Sequence, residues 1–229
     1  MQNRTLVVDL GRLCPVLSSA PLGGGLVRAR YILNHQVQAN PIGAPIRDRR
    51  RRWPDPSRSL SLIARRVQAD CRSVGMMTAV PLAQLVTLRE EAGGLWVEGF
   101  FTVGVTNAVR AGEPTAHEDR VPVRAGTINL VLVTNARLTS SALVGAVQVA
   151  TEGKTAALLA AKVPSWTGRS GATGTGTDTV VVACGAGPAG PSLRYSGTHT
   201  RIGAMIGRLV SRGVAEGLRR SRRWKNRKQ

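Results

Sequence analysis

The chain has 229 residues, a length that suits one large domain better than two small ones. Apolar residues make up 42% of it, enough for a sizeable core, and no apolar run reaches the roughly 20 residues that a membrane-spanning helix needs. The net charge of +19 is typical of proteins that meet polyanions, whereas three widely separated cysteines exclude a disulfide framework and a zinc knuckle.

The first third of the chain contains short strands and a long loop. Residues 4–9 and 26–33 are rich in β-branched and apolar side chains, which predicts two strands joined by a glycine-rich loop. Residues 40–58 hold four prolines and a run of arginines, and we expect an exposed loop there. Apolar residues at helical spacing then predict a short helix over 59–72.

The pattern sharpens from residue 82 onward. We expect helices at 140–161 and 202–218, and strands at 82–88, 95–105, 127–134 and 179–184, the first two as a hairpin. The last two strands are almost continuously apolar, as is typical of strands buried on both faces. This order predicts an α/β or α+β fold, a single domain with a mixed β-sheet covered by helices.

Two basic segments hold much of the excess charge, the arginine run at 48–52 and the arginine-rich end of the chain. Both have the composition of a solvated loop or tail, so we predict a domain at 1–220 and a disordered basic tail at 221–229. A basic nucleic-acid-binding protein stays an alternative, although the scarcity of aromatic residues argues against a surface that stacks bases.

The start of the chain lacks the apolar core of a cleavable signal, because Arg4 and Asp9 interrupt it. Together with the unpaired cysteines, this predicts a cytoplasmic protein without a membrane partner. The sequence gives no indication of the oligomeric state.

Polar side chains lie among glycines in three loop segments. The segment 104–108 carries Asn107 after a strand, and the segment 171–178 carries Thr175, Thr177 and Asp178 before one. The second segment is neither a Walker loop nor a dinucleotide-binding fingerprint, because a strand follows it instead of a helix. A flexible Gly/Thr linker and a polar site are both consistent with it, and Asp178 favours the site.

The third segment, 196–203, places Thr198 and His199 directly before a predicted helix. Free N–H groups at a helix N terminus favour a neutral imidazole or a bound anion, and histidine is a natural general base near neutral pH. A structural role for His199 is the simpler alternative. His35 has no comparable setting, and His117 has acidic neighbours typical of a solvated loop.

Polar groups also interrupt two elements that are otherwise apolar. Glu152 and Lys154 flank Gly153 in the helix predicted at 140–161, either as an exposed stripe or as a stripe that faces a site. The helical glycine costs about 1 kcal/mol relative to alanine, which indicates close packing there. Asn129 lies in a buried strand, so its amide needs partners, either in a neighbouring loop or in a substrate amide.

The spacing of potential ligands predicts no metal site, and we expect no cofactor. A convergence of Glu152, Asp178 and His199 on a metal ion would be the exception, since spacing along the chain cannot reveal it. There is no Gly-x-Ser-x-Gly elbow, and a threonine nucleophile such as Thr127 is a weaker alternative to a general base.

Six segments, in this order, resemble the adenosylcobinamide amidohydrolase family. They are VGMMTAV at 74–80, VGVTNA at 103–108, GTIN at 126–129, TEGKTAA at 151–157, ATGTGTD at 172–178 and GTHTRIG at 197–203. Each motif alone is weak, whereas the ordered set, which covers about residues 74–217, is specific. The chain departs from the family pattern at Gly153, where the family has alanine, and in its basic segments.

The resemblance implies hydrolysis of the amide that joins a corrin propionate to aminopropanol, with adenosylcobyric acid as the product, in corrinoid salvage. The partner would then be a small-molecule corrinoid; a corrinoid-binding module without catalysis is the other alternative. We expect His199 to act as general base, Asp178 to orient it and Glu152 to protonate the leaving amine. The expected substrate-binding and oxyanion-stabilising residues are Asn107, Asn129, Lys154, Thr175, Thr177 and Thr198.

Overall fold

A computed structural model of the chain describes residues 4–37, 55–69, 72–114 and 126–226. The arginine run at 48–52, Cys71 and His117 lie outside these ranges, as does most of the loop expected at 40–58. Within them, no helix is both long enough and apolar enough to cross a membrane.

The described residues form three α-helices, a short 3₁₀ helix and eleven strands. The helices are α1 (Pro56–Arg66), α2 (Ser140–Ala160) and α3 (Arg201–Asn226), and the 3₁₀ helix is Leu82–Gln84. The strands are β1 (Thr5–Ser18), β2 (Gly25–Gln36), β3 (Ser73–Thr78), β4 (Val86–Ala92), β5 (Leu95–Val103), β6 (Ala108–Val109), β7 (Ile128–Thr134), β8 (Arg137–Leu138), β9 (Gly174–Thr175), β10 (Thr179–Cys184) and β11 (Ser192–Leu193).

Seven strands form one mixed sheet in the order β3-β2-β1-β10-β7-β5-β4. The pairs β10–β7 and β2–β3 are parallel, and the other neighbours are antiparallel. Strands β7 and β10 lie at the centre and are buried along their whole length, as their apolar sequences predicted. The predicted single domain with a mixed sheet covered by helices is therefore confirmed.

The sheet folds over on itself at an irregularity in the β1–β2 hairpin. The register of the pair shifts between Asp9 and Cys14, and a bulge of this kind bends a strand. Beyond the bend, β2 lies over β7 and β5, since Asn34 of β2 bonds directly to Asn129 of β7 and Thr102 of β5. Between the two layers lies an aliphatic core that includes Val16, Ile32, Met76, Val131 and Val181.

The helices cover the outer faces of the folded sheet. Helices α2 and α3 pack on β10, β7, β5 and β4 through the larger core, whereas Leu60 and Ala64 of α1 pack near β2 and β3. Gly153 lies where α2 and α3 meet, and an added Cβ would lie 3.1 Å from the carbonyl oxygen of Gly207. The close packing expected at this glycine therefore exists, and the neighbour is α3.

Helix α3 continues to Asn226, well past the predicted boundary of 218 and into the segment expected to be a disordered tail. The apolar face ends near Leu218, but arginine and lysine are good helix formers. Glu216 also pairs with Arg219 and Arg220, three and four residues further along, which supports one more turn. Helix α3 thus includes residues 221–226 of the segment that the sequence predicted as a tail.

Candidate active site

Five of the six family-like segments meet at one end of the folded sheet. The central contact joins Lys154 of α2 to Asp178, directly before β10, with 2.5 Å between Nζ and Oδ2. Their side chains are only 9% and 11% exposed. A buried ion pair of this kind is expensive to form unless further hydrogen bonds satisfy its atoms, and Asp178 has several.

The Asp178 carboxylate accepts four hydrogen bonds. Oδ1 receives the Ile128 amide at 3.0 Å and the Thr175 hydroxyl at 2.5 Å, while Oδ2 receives the Thr175 amide at 3.0 Å and Lys154. Gly174 lets the loop pass this close, because a Cβ there would lie 2.5 Å from Oδ2 and 2.7 Å from Lys154 Nζ. The carboxylate therefore fixes the loop, α2 and the start of β7 together.

The loop at 175–178 also holds the residues that precede β7. The Thr177 hydroxyl donates to the Gly126 carbonyl oxygen at 3.1 Å, and the Thr127 hydroxyl donates to the Thr177 carbonyl oxygen at 2.8 Å. Thr177 is exposed and Thr127 is only 5% exposed. The segment at 126–128 is thus fixed by side-chain and backbone bonds from a single loop.

Below Thr127 lies a buried amide network that joins the two layers of the sheet. Asn129 Nδ2 donates to Asn34 Oδ1 at 3.0 Å and to the Met77 carbonyl oxygen at 2.8 Å. Asn34 Nδ2 in turn donates to Thr102 Oγ1 at 3.1 Å. Asn129 therefore supports the site from below through partners in β2 and β3, whereas the sequence predicted a partner in a neighbouring loop or in a substrate amide.

Asn107 borders the same segment from the loop after β5. Its Oδ1 is buried and has no hydrogen-bond partner among the residues that the structure describes. A Cβ on Gly126 would collide with this oxygen and with Thr106 Oγ1. Asn107 is therefore a side chain of the cluster with a free polar atom, which suits contact with a ligand.

His199 lies at the other end of the sheet. It lies just before α3, as predicted, and the first residues of α3 lie beside the Gly93–Gly94 turn, which precedes β5. Ile128, whose amide bonds to Asp178, pairs instead with Val103 at the far end of β5. The length of β5 separates the two ends by roughly 26 Å, at about 3.3 Å per residue. The expected contact between Asp178 and His199 is therefore absent.

The segment around His199 has a local structural explanation. Ser196 donates to the Ala142 carbonyl oxygen at 2.6 Å, which joins the starts of α2 and α3. The Thr200 hydroxyl accepts from the Gly203 amide at 3.0 Å and so caps α3. A Cβ on Gly203 would collide with the carbonyl oxygens of Ser196 and Gly197. This motif shapes the junction of the two helices, while Thr198 and His199 are exposed.

The structure does not bring the remaining predicted acid into the cluster. Glu152 is exposed on α2, one residue before Gly153 and on a different side of the helix from buried Lys154. The sequence left open whether these two charges lie on an exposed stripe or face a site. Glu152 is exposed, and Lys154 faces the polar cluster. Among the described residues, no three His, Cys, Asp or Glu side chains lie close enough to hold a metal ion.

A cleft of about 690 Å³ lies beside the start of α3. Its walls are the Gly93–Leu95 turn, the segment 189–195 and residues 200–202, with Tyr195 74% exposed at its edge. The cleft is apolar in most of its walls and lies far from Lys154 and Asp178. It lies at the opposite end of the sheet from the polar cluster.

Sequence reasoning missed two members of the cluster, Asn34 and Thr102. Both are polar residues inside strands with buried positions, which is an informative signal because buried amides and hydroxyls need partners. Their partners lie 68 and 95 residues away along the chain, so the contacts could not be deduced from spacing.

Comparison with known proteins agrees with the motifs. The family model described as adenosylcobinamide amidohydrolase matches residues 1–226. A protein of that name from Methanosarcina mazei is 32% identical over 209 residues, covering 87% of this chain and 88% of the relative. Another of that name, from Halobacterium salinarum, is 41% identical over 93 residues, covering 41% of this chain and 36% of the relative.

A solved structure of a Burkholderia sp. beta-aminopeptidase covers 95% of this chain and 78% of its own, with 14% sequence identity and a TM-score of 0.44. That likeness is too low to support an argument about this chain. The match of the family model to almost the whole length, together with the relative from Methanosarcina mazei, is decisive instead. The chain belongs to the adenosylcobinamide amidohydrolase family.

Proposed function

We propose that this protein hydrolyses the amide between the corrin propionate and the aminopropanol arm of adenosylcobinamide, giving adenosylcobyric acid and free aminopropanol in corrinoid salvage. The observation that carries the proposal is the family match over residues 1–226. The convergence of five family-like segments on the Lys154–Asp178 pair supports it, because side chains brought together from distant segments are typical of an active site.

The chemistry is assigned to the end of the sheet that holds Lys154, Asp178, Thr127 and Asn107. Amide hydrolysis passes through a tetrahedral oxyanion, and preorganised donors in a site with little water stabilise such a charge. The Lys154 ammonium is nearly buried and carries three N–H donors, of which Asp178 Oδ2 accepts one. Lys154 is the proposed contact of the substrate carbonyl oxygen, and the amide oxygen of Asn107 is the proposed acceptor for the N–H of the scissile amide.

Asp178 has a positioning role in this proposal. Its two oxygens already accept four hydrogen bonds, so the carboxylate holds the surrounding groups in place instead of contacting the substrate. It holds the Lys154 side chain beside the segment 126–128. Glu152 and His199 take no part in this assignment, since both are exposed and His199 lies at the opposite end of β5.

The test is incubation of the purified full-length chain with adenosylcobinamide, followed by mass spectrometry of the corrinoid and of aminopropanol. Appearance of both products in a fixed ratio of one to one is the expected result. Binding of adenosylcobinamide without release of aminopropanol would instead indicate a corrinoid-binding module and contradict the proposed function.

A further inference from the structure

The hydroxyl of Thr127 occupies an unusual position for a threonine at the start of a strand. It is almost fully buried, and its Oγ1 lies 2.8 Å from the Thr177 carbonyl oxygen and 3.2 Å from Asn129 Oδ1. A hydroxyl that merely completed the sheet could equally well accept a hydrogen bond from a backbone amide. Here both neighbours are oxygens, and a carbonyl oxygen only accepts.

The orientation of the Asn129 amide is fixed independently of Thr127. Its other end donates to the Met77 carbonyl oxygen, which cannot donate in return, so the nitrogen faces Met77 and the oxygen faces Thr127. Thr127 Oγ1 thus has two acceptors for its one hydrogen, and no group among the described residues donates to its lone pairs. An O–H group that donates and receives nothing keeps its lone pairs available for attack.

The backbone on either side of Thr127 is held as firmly as its hydroxyl. Thr177 Oγ1 donates to the Gly126 carbonyl oxygen, and the Ile128 amide donates to Asp178, the partner of Lys154. The Asp178 carboxylate therefore bridges the Lys154 ammonium and the backbone amide of Ile128. The amide oxygen of Asn107, which has no hydrogen-bond partner within the described ranges, lies beside Gly126, the preceding residue. The hydroxyl, a cation and a free amide thus border the same segment.

We propose that Thr127 is the nucleophile of the reaction; this inference rests on the proposed function and deepens it. Thr127 Oγ1 forms a bond to the amide carbon, the C–N bond to aminopropanol breaks, and an ester of Thr127 with the corrin propionate remains. The proton that the Thr127 hydroxyl loses goes to the leaving nitrogen, while Lys154 remains the cation that contacts the carbonyl oxygen. Water then adds to the ester, the C–O bond to Thr127 breaks, and the threonine proton is restored, which releases the corrinoid acid.

A matched pair of substitutions separates the hydroxyl from its packing. Thr127→Val keeps the shape and removes the oxygen, and we expect it to lose about a thousandfold or more in aminopropanol release, as removal of a nucleophile does in other hydrolases. Thr127→Ser keeps the oxygen and is expected to stay within about tenfold of the wild type. Circular dichroism and thermal unfolding establish that both variants fold, and Thr151→Val on the exposed side of α2 is the control substitution.

Hydroxylamine gives a second readout that a structural role would not produce. An ester on Thr127 is intercepted by hydroxylamine, so the wild type should yield the corrinoid hydroxamate beside the acid, and Thr127→Val neither. The proposal is overturned if Thr127→Val stays within about tenfold of the wild type, if Thr127→Ser folds but is as inactive as Thr127→Val, or if no hydroxamate forms. A wild-type chain that releases no aminopropanol would contradict the proposed function itself.

Discussion

Lys154 and Asp178 meet across 24 positions of the chain, and the same carboxylate also receives the amide of Ile128. One ion pair therefore connects α2, the loop before β10 and the first residue of β7. These are the elements that carry three of the family-like segments. The pair fixes the relative positions of those segments before any substrate arrives, which is what a preorganised site needs.

Removal of one partner of this pair should destabilise the fold. Lys154→Met leaves the Asp178 carboxylate buried without its cation, and we expect a loss of about 3 to 5 kcal/mol in the free energy of unfolding. Urea unfolding followed by circular dichroism measures it. The exposed neighbour gives the control, since Glu152→Gln should change the value by less than about 0.5 kcal/mol. Equal effects of the two substitutions would show that the ion pair is not a structural link.

Two glycines of α3 predict opposite effects of the same substitution. A Cβ on Gly213 would lie 2.5 Å from the ring of Phe101, so Gly213→Ala should overpack the core and cost about 1 to 3 kcal/mol. A Cβ on Gly207 meets only Val149, at an ordinary 3.7 Å, so Gly207→Ala should be neutral or stabilise by up to about 1 kcal/mol. Thermal unfolding of both variants measures the difference, and a stable Gly213→Ala would contradict the close approach of α3 to β5.

His35 should make stability depend on pH. Burial, and to a smaller extent the charge of Arg4, lower the pKa of His35 below its usual 6.5. The folded state thus binds fewer protons than the unfolded chain, so stability is complete above pH 6.5 and falls as the pH drops below it. Unfolding free energies of the wild type and of His35→Gln, measured between pH 5 and 8, should converge towards low pH. Parallel curves for the two proteins would refute the assignment.

Activity of two further variants distinguishes the two ends of the sheet. His199→Ala and Glu152→Gln should both keep turnover of adenosylcobinamide within a few fold, because each side chain is exposed and outside the cluster at Asp178. Asn107→Ala should lower kcat/KM by roughly tenfold, as expected when one buried hydrogen bond to the substrate amide is lost. A large loss with His199→Ala and a small one with Asn107→Ala would move the chemistry to the cleft beside α3.

Much of the fold could be predicted from the sequence, because local patterns dominate its second half. The apolar runs of β7 and β10 and the start of α2 at residue 140 were all predicted. Strand β3 was missed, since Gly75 and the paired methionines separate its two β-branched residues, Val74 and Thr78. The strand predicted at 82–88 begins instead at Val86, after a 3₁₀ turn.

The site was predictable only in part. Asp178, Lys154, Thr175, Thr177, Asn107 and Asn129 lie together, because each belongs to a motif at the same end of the sheet. His199 and Thr198 do not, although their motif has the composition of an active-site loop. A glycine that permits close packing of two helices and a glycine that makes room for a ligand look the same in a sequence. Only the position of Gly203 against Ser196 and Gly197 separates the two.

The fold of the sheet over itself implies an order of assembly. Asn34 reaches Asn129 across 95 positions of the chain, and contacts of that separation form late because a long loop must close first. The orientation of the Asn129 oxygen, which lies beside the Thr127 hydroxyl, is set only when strands β2 and β3 have docked over β7. During refolding, the helices would therefore form before the active site does. Recovery of amide hydrolysis would report the step at which the N-terminal third of the chain docks onto the rest of the sheet.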